Sequence, residues 1–428
     1  MISSSFAEVV LFVSLFVSLG TYVFLSRREG SYLNLLTLGF ISSVPSNYLL
    51  PLFFTLVFGT EASPYAFIYI YATVAVGNVV FVYAYTRPPR KLVRLPFRYS
   101  YHNFDVLAFG FLAVALLMYL PVLLQFPEYL LNPRQIYEHT RTGFGINFYI
   151  SSTFAYLAVI LVLFSGRSRR VKGFVVLASA AVLALHGSKG QMLTLVCLVA
   201  LFEVYVKGRK LKFFPSLIAA AGLGFFLLLL FAATMSLGDS PVEVLEEISQ
   251  YSDYTRNAML VIDSHFPLQY GRLTVESAVI GRIPRLLMPN KPKNFGGAYL
   301  DEQFYPESLD ADAGAPDFGI GVQYADFGAF AIVYLSSFAM LGGWLARVFL
   351  VRLSQSHHPA DFLLFAFFAG VSIFPVGGVG WLLPEALIGA VFLRFVSCFG
   401  ADTLFHEHIR MKRPLVASAP QQDTSGNM

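Results

Sequence analysis

Five basic residues and a single acid, Glu276, fall between Arg272 and Lys293. The centre of that segment, GRIPRLLMPNKPKNFGG at 281–297, carries prolines at 284, 289 and 292. Proline removes a backbone donor and clashes with the preceding turn, so the segment cannot run as one helix. Arg282, Arg285, Lys291 and Lys293 are therefore presented on a stiffened, irregular surface. Such a surface suits dense negative charge, because guanidinium forks grip phosphate oxygens in pairs and never lose their proton. Basic residues beside a headgroup layer also touch anionic lipid with no further role, and the residues alone leave both readings open.

Three other clusters carry ionisable groups into apolar surroundings. In LALHGSKGQMLTL, Lys189 is flanked by Gly187 and Gly190 and is the only lysine or arginine between Lys172 and Lys207. The glycines let the backbone approach a bulky group, although a lysine that merely snorkels from a helix end has the same appearance. In NPRQIYEHTRTGFG, Arg134 and Arg141 are spaced to share one helix face, with Glu138 and His139 between them. In DADAGAPDFGIGVQYADFGAF, Asp317, Tyr324 and Asp326 lead into an apolar run. An acid at the edge of such a run is costly unless paired or facing water, which makes Asp326 a functional candidate; pairing with an outer arginine is the structural alternative.

The elements that must position these groups are membrane spans. Of 428 residues 56% are hydrophobic and only 13% charged, with mean hydropathy +0.63. That is far from the roughly 25% charged of soluble domains. Apolar runs centre on 6–26, 31–58, 65–85, 105–125, 147–165, 173–187, 190–206, 213–237, 325–350, 362–376 and 380–400, giving eleven candidate spans. With the N-terminus outside and the C-terminus inside, most of the 30 lysines and arginines fall in inner connections, as the positive-inside bias requires. The expected organisation is spans one to eight in 1–237, a large outer loop at 238–324, spans nine to eleven in 325–400, and a tail at 401–428. The loop should open with an amphipathic helix after Pro241, where Val242, Leu245, Ile248 and Tyr251 recur at helical spacing.

Familiar catalytic signatures are absent: no phosphate-binding glycine loop, dinucleotide fingerprint, H-E-x-x-H or G-x-S-x-G. The outer histidines stand singly, so no metal or other cofactor is expected, and the inner loops are too short to house a nucleotide-using domain. Cys197 and Cys398 lie in apolar runs without motif spacing.

Taken in order, RQIYEHTRTGFG, HGSKGQMLTL, QYGRLTVESAVIGRIPRLLMPNKP and GIGVQYADFGAFAIVYL resemble the bacterial oligosaccharide repeat unit polymerases, the Wzy-type O-antigen polymerase family. That resemblance implies an all-helical, GT-C-like glycosyltransferase of the bacterial inner membrane, active on its periplasmic face. It implies undecaprenyl-pyrophosphate-linked glycan as donor and acceptor, with a Wzz-type chain-length regulator as a partner and no nucleic acid. The family's pyrophosphate-handling arginines map onto Arg282 and Arg285, with Lys189 replacing a turn arginine; Lys291, Arg134 and Arg141 are further cations for the same ligand. If a base takes the acceptor's proton, the candidates are Asp326, Asp317, His139 and His265. An O-antigen ligase is the rival with the same chemistry, and a lipid-linked sugar transporter the rival of another class; the outer clustering of the cations and the lack of paired broken helices disfavour the transporter.

Overall fold

The computed structural model describes residues 4–52, 55, 62–87, 89, 103–129, 136, 144–210, 222, 253–283, 287–292, 294–306, 317–374 and 383–399. The expected amphipathic helix after Pro241, together with Arg134, His139, Arg141 and Arg285, lies outside the described residues, as does the tail.

Among the described residues every regular element is helical. The first half contains α1 (Ser4–Glu29), α2 (Leu35–Val44), α3 (Pro64–Thr86), α4 (Phe104–Gln125), α5 (Gly145–Phe164), α6 (Arg169–Leu185) and α7 (Lys189–Leu201). The loop region supplies α8 (Asp253–Asp263), α9 (Arg272–Val279) and α10 (Ala298–Phe304). The chain then returns through α11 (Ile320–Phe327), α12 (Ala331–Ser356), α13 (Pro359–Phe368) and α14 (Leu383–Phe399). Five helical stretches, 6–29, 64–86, 104–125, 145–164 and 320–356, are long and apolar enough to cross a membrane. The last of them begins at Ile320, ahead of the expected loop boundary, and is interrupted at Gly328, whose φ of 57° breaks the helix.

The centre of the bundle is α5, buried almost without interruption from Ser151 to Phe164. A helix apolar on all sides is stable only when enclosed, and α4, α6 and α13 pack around this one. On the other flank α12 lies against α3, and Gly343 makes the contact possible: a Cβ there would sit 2.2 Å from the Phe81 carbonyl oxygen.

Contacts fix the directions of the helices. Ser14 of α1 bonds the Tyr71 carbonyl of α3, and Glu29 at the end of α1 meets Tyr85 near the end of α3. Tyr69 near the start of α3 accepts the Ile332 N–H of α12. These three helices therefore run the same way, from a face shared with α8–α11, here termed the loop face, towards an opposite face. The α5 and α14 helices also begin at the loop face, and α4 runs back to it.

The opposite face is fastened by the half-buried Glu29 and by two buried carboxylates, Asp105 and Asp361. Glu29 accepts from Tyr85 at 2.8 Å and Tyr205 at 2.7 Å, and Asp361 accepts from Arg394 at 2.7 Å and Ser356 at 2.6 Å, with Arg352 at 3.4 Å. Asp105 pairs with Arg167 at 2.6 Å. Each charge is held by specific partners, the condition under which ionised groups survive at bilayer depth.

Candidate active site at the loop face

The basic segment hangs from α9. That helix begins after Gly271, whose left-handed φ of 85° suits glycine and whose missing side chain leaves the first N–H groups uncapped. Asp326 of α11 supplies the cap from across the interface. Its two oxygens accept from the N–H groups of Leu273 at 2.9 Å and Thr274 at 2.7 Å, and from the Thr274 hydroxyl at 2.5 Å. A carboxylate at a helix N-terminus also meets the positive end of the helix dipole. Only 1% exposed and with three donors on its oxygens, Asp326 holds α9 against the start of the span.

At the other end of α9 the chain tightens into a turn at Ile280–Arg282. Lys291 folds back beneath it, donating to the carbonyls of Gly281 at 3.2 Å and Ile283 at 3.0 Å, its ammonium 4.8 Å from the Phe295 ring centre. Glu276 binds both Arg272, at 2.7 Å, and the Gly296 N–H, at 3.0 Å. Gly296 has φ 59°, and a Cβ there would lie 2.0 Å from the Ser277 hydroxyl. Lys291 and Gly296 thus fold back onto α9 and the turn that follows it, with Arg282 at the corner.

Arg282 reaches the bundle. Its Nε donates to Oε1 of Glu385 in the first turn of α14, and its Nη1 donates to the Ala278 carbonyl. The side chains are 21% and 13% exposed. Nη2 of Arg282 and Oε2 of Glu385 are both buried without a hydrogen-bond partner. Tyr149, one turn into α5, lies within electrostatic range of both.

The HGSKG turn arrives at the same end of α5. His186 is fully buried, its Nε2 3.1 Å from the Ser151 hydroxyl, with its ring stacked on Tyr119 at 4.7 Å and met edge-on by Phe148 at 4.9 Å. Tyr156 donates to the Gln191 carbonyl at 2.8 Å. Lys189 follows as the first residue of α7. The start of α5 is therefore flanked on one side by the turn that carries Lys189 and on the other by the Arg282–Glu385 pair.

The remaining candidates sit elsewhere on this face. Asp317 is exposed and folds its own turn, accepting the Gly319 N–H at 2.8 Å. His265 is exposed just beyond α8 in a left-handed conformation, φ 51°. The sequence reading passed over Asp301 of α10, which is 2% exposed with Oδ1 unpartnered; burial and the nearby Asp317 carboxylate push its carboxyl up to about 7. It also passed over Tyr149 and Glu385, although Glu385 carries the signal that drew attention to Asp326, a lone acid opening an apolar run. Among the described residues no group of three or more His, Cys, Asp or Glu side chains converges on a point where a metal could sit.

An all-helical bundle with membrane-crossing helices, and a helical cap that delivers an arginine to its mouth, defines a polytopic membrane protein with a polar site at one end. The chain is 35% identical over 398 residues to the O-antigen polymerases of Salmonella typhimurium and Salmonella typhi, covering 91% of its own length and 94% of theirs. It belongs to the O-antigen polymerase family, and is accordingly a multi-pass protein of the bacterial inner membrane and a transferase-type enzyme. No protein-family model matches the chain, and no solved structure matches it.

Proposed function

We propose that this protein joins lipid-linked oligosaccharide repeat units into O-antigen, moving the growing glycan from undecaprenyl pyrophosphate onto a new lipid-linked unit. The observation that carries this reading is Arg282, pinned at the mouth of the bundle beside the start of α5, in a chain 35% identical to O-antigen polymerases. When the bond from the anomeric carbon to pyrophosphate breaks, the leaving oxygen gains negative charge. Fixed cations aimed at that oxygen stabilise the transition state more than the ground state, which is what accelerates the step. Arg282 is the first such cation; Arg285, Lys189, Arg134 and Arg141 are assigned as its companions, while Lys291 shapes the loop.

The orientation follows from charge. Arg27, Arg28, Arg167, Arg169, Arg170, Lys207, Arg209, Lys210 and Arg352 gather towards the face opposite the site, which the positive-inside bias makes cytoplasmic. The loop face is then periplasmic, the N-terminus outside and the C-terminus inside. Eleven spans and a GT-C-like arrangement complete the proposed architecture, with a chain-length regulator as partner.

Purified protein in lipid nanodiscs, given lipid-linked repeat unit alone, should form chains of two or more units, and Arg282→Ala should form none at matched protein level. In a deletion strain single lipid-linked repeats should accumulate; intact lipid-linked polymer would instead identify a ligase.

A further inference from the structure

The contact between Arg282 and Glu385 is half made. A guanidinium and a carboxylate frequently close side by side, two N–H groups on two oxygens. Here Nε meets Oε1, while Nη2 and Oε2 are left buried and unpartnered. The Arg167–Asp105 pair also makes one contact, but there only Asp105 Oδ1 is left buried without a partner, and Arg167 is exposed. A buried polar atom without a partner is costly, so two such atoms in one pair point to a third group that would satisfy both. Their polarities state what that group offers: an anionic oxygen for Nη2 and a hydroxyl hydrogen for Oε2. A sugar diphosphate meeting a sugar hydroxyl presents both.

We propose that Glu385 is the general base of the transfer, restrained by Arg282 until the donor's pyrophosphate occupies the guanidinium. The proposal rests on the polymerase reading above. The acceptor hydroxyl oxygen attacks the anomeric carbon of the donor glycan, and its proton passes to Oε2 of Glu385. The carbon–oxygen bond to pyrophosphate breaks, and its electron pair leaves on the phosphate oxygen that faces Arg282. The products are the new glycosidic bond, undecaprenyl pyrophosphate, and a protonated Glu385 that returns its proton to water. Before the donor arrives, the guanidinium holds Oε1 of Glu385; a diphosphate bound to the same guanidinium loosens that contact and frees the carboxylate to face the acceptor hydroxyl. Among the described residues the charged and titratable groups facing Glu385 are Arg282 from the corner after α9 and Tyr149 from α5. Of the two candidate acids on the approach to α12, Asp326 is committed to the α9 cap and Asp317 to its own turn.

The test uses the full-length protein in nanodiscs with purified lipid-linked repeat unit, across the pH range in which it is stable. Glu385→Gln should lower kcat by roughly 100-fold or more with KM for the donor changed only a few-fold, and should remove the acid limb of the rate profile. At matched protein level Glu385→Asp, which keeps a carboxylate, should recover part of the rate that Glu385→Gln loses. A Glu385→Gln enzyme that keeps both its kcat and its acid limb, or a Glu385→Asp enzyme no more active than Glu385→Gln, would overturn the assignment of the base. If Arg282→Ala is inactive in the same assay while Glu385→Gln turns over normally, the polymerase site stands and only the base is wrong; if Arg282→Ala is also fully active, the site itself is misplaced.

Discussion

Asp326 and Glu385 are both solitary acids at the start of apolar runs, and the fold sets them to different work. Asp326 has its two oxygens covered by three donors, so its removal should act through folding. An Asn there keeps one acceptor but turns an amide towards a backbone N–H, and hydrogen bonds to a charged group contribute about 1.5–3 kcal/mol. Asp326→Asn is therefore expected to lower the thermal midpoint of the purified protein and its level in membranes, with polymer lost in proportion. Normal stability with no polymer would instead return Asp326 to the chemistry. Arg282→Lys keeps the charge but cannot hold Glu385, the Ala278 carbonyl and a ligand at once, so polymer length on gels should shorten strongly at unchanged protein level. Lys291→Ala, which removes two carbonyl contacts beneath the corner, should cost about 1–2 kcal/mol and shorten polymer less than Arg282→Lys does.

At the scale of elements, α8 to α11 form a small helical assembly at the loop face, with Asp301 buried on α10. Its carboxyl, raised by burial and by Asp317 to about 7, binds its proton more tightly in the folded state than in the unfolded one. Its contribution to stability is whole below about pH 4 and is lost as pH rises towards 7. The thermal midpoint should fall between about pH 4 and pH 7, and Asp301→Asn should flatten that fall. Asp301 was not legible in the sequence, because DEQF within an acidic loop looks solvated; only its burial on α10, whose Leu300 joins Val261 and Phe318 in one apolar cluster, makes the carboxyl unusual. Lys291 shows the converse. Its charge was plain, but its engagement with two backbone carbonyls depends on how the loop turns at Gly296, which composition does not specify.

For the whole molecule the sequence was a better guide, since periodic apolar runs and the placement of lysine and arginine are consequences of the bilayer itself. Runs centred on 65–85, 105–125 and 147–165 became α3, α4 and α5 with shifts of only a few residues. What did not follow was the meeting of distant segments: the HGSKG turn, the Arg282 corner and the start of α14 converge on α5, and no local pattern encodes that. Alkaline phosphatase fused after His265 should be active and fused after Arg170 inactive; the reverse would invert the proposed orientation.

The carboxylate fastenings at the face opposite the site give the bundle an uneven stiffness along the membrane normal. Glu29, Asp105 and Asp361 tie six helices, the segment after α7 and the turn between α5 and α6 together at one end, while the loop face is joined by the Asp326 cap, the contacts of Asp263 with Ser63 and a half-closed ion pair. Such a body behaves like a pair of tongs riveted at the handle, able to part its jaws for two bulky lipid-borne chains without losing its alignment. Amide hydrogen exchange in nanodiscs should accordingly be slow around Tyr85, Tyr205 and Asp361 and graded towards faster exchange at α9 and the first turns of α14.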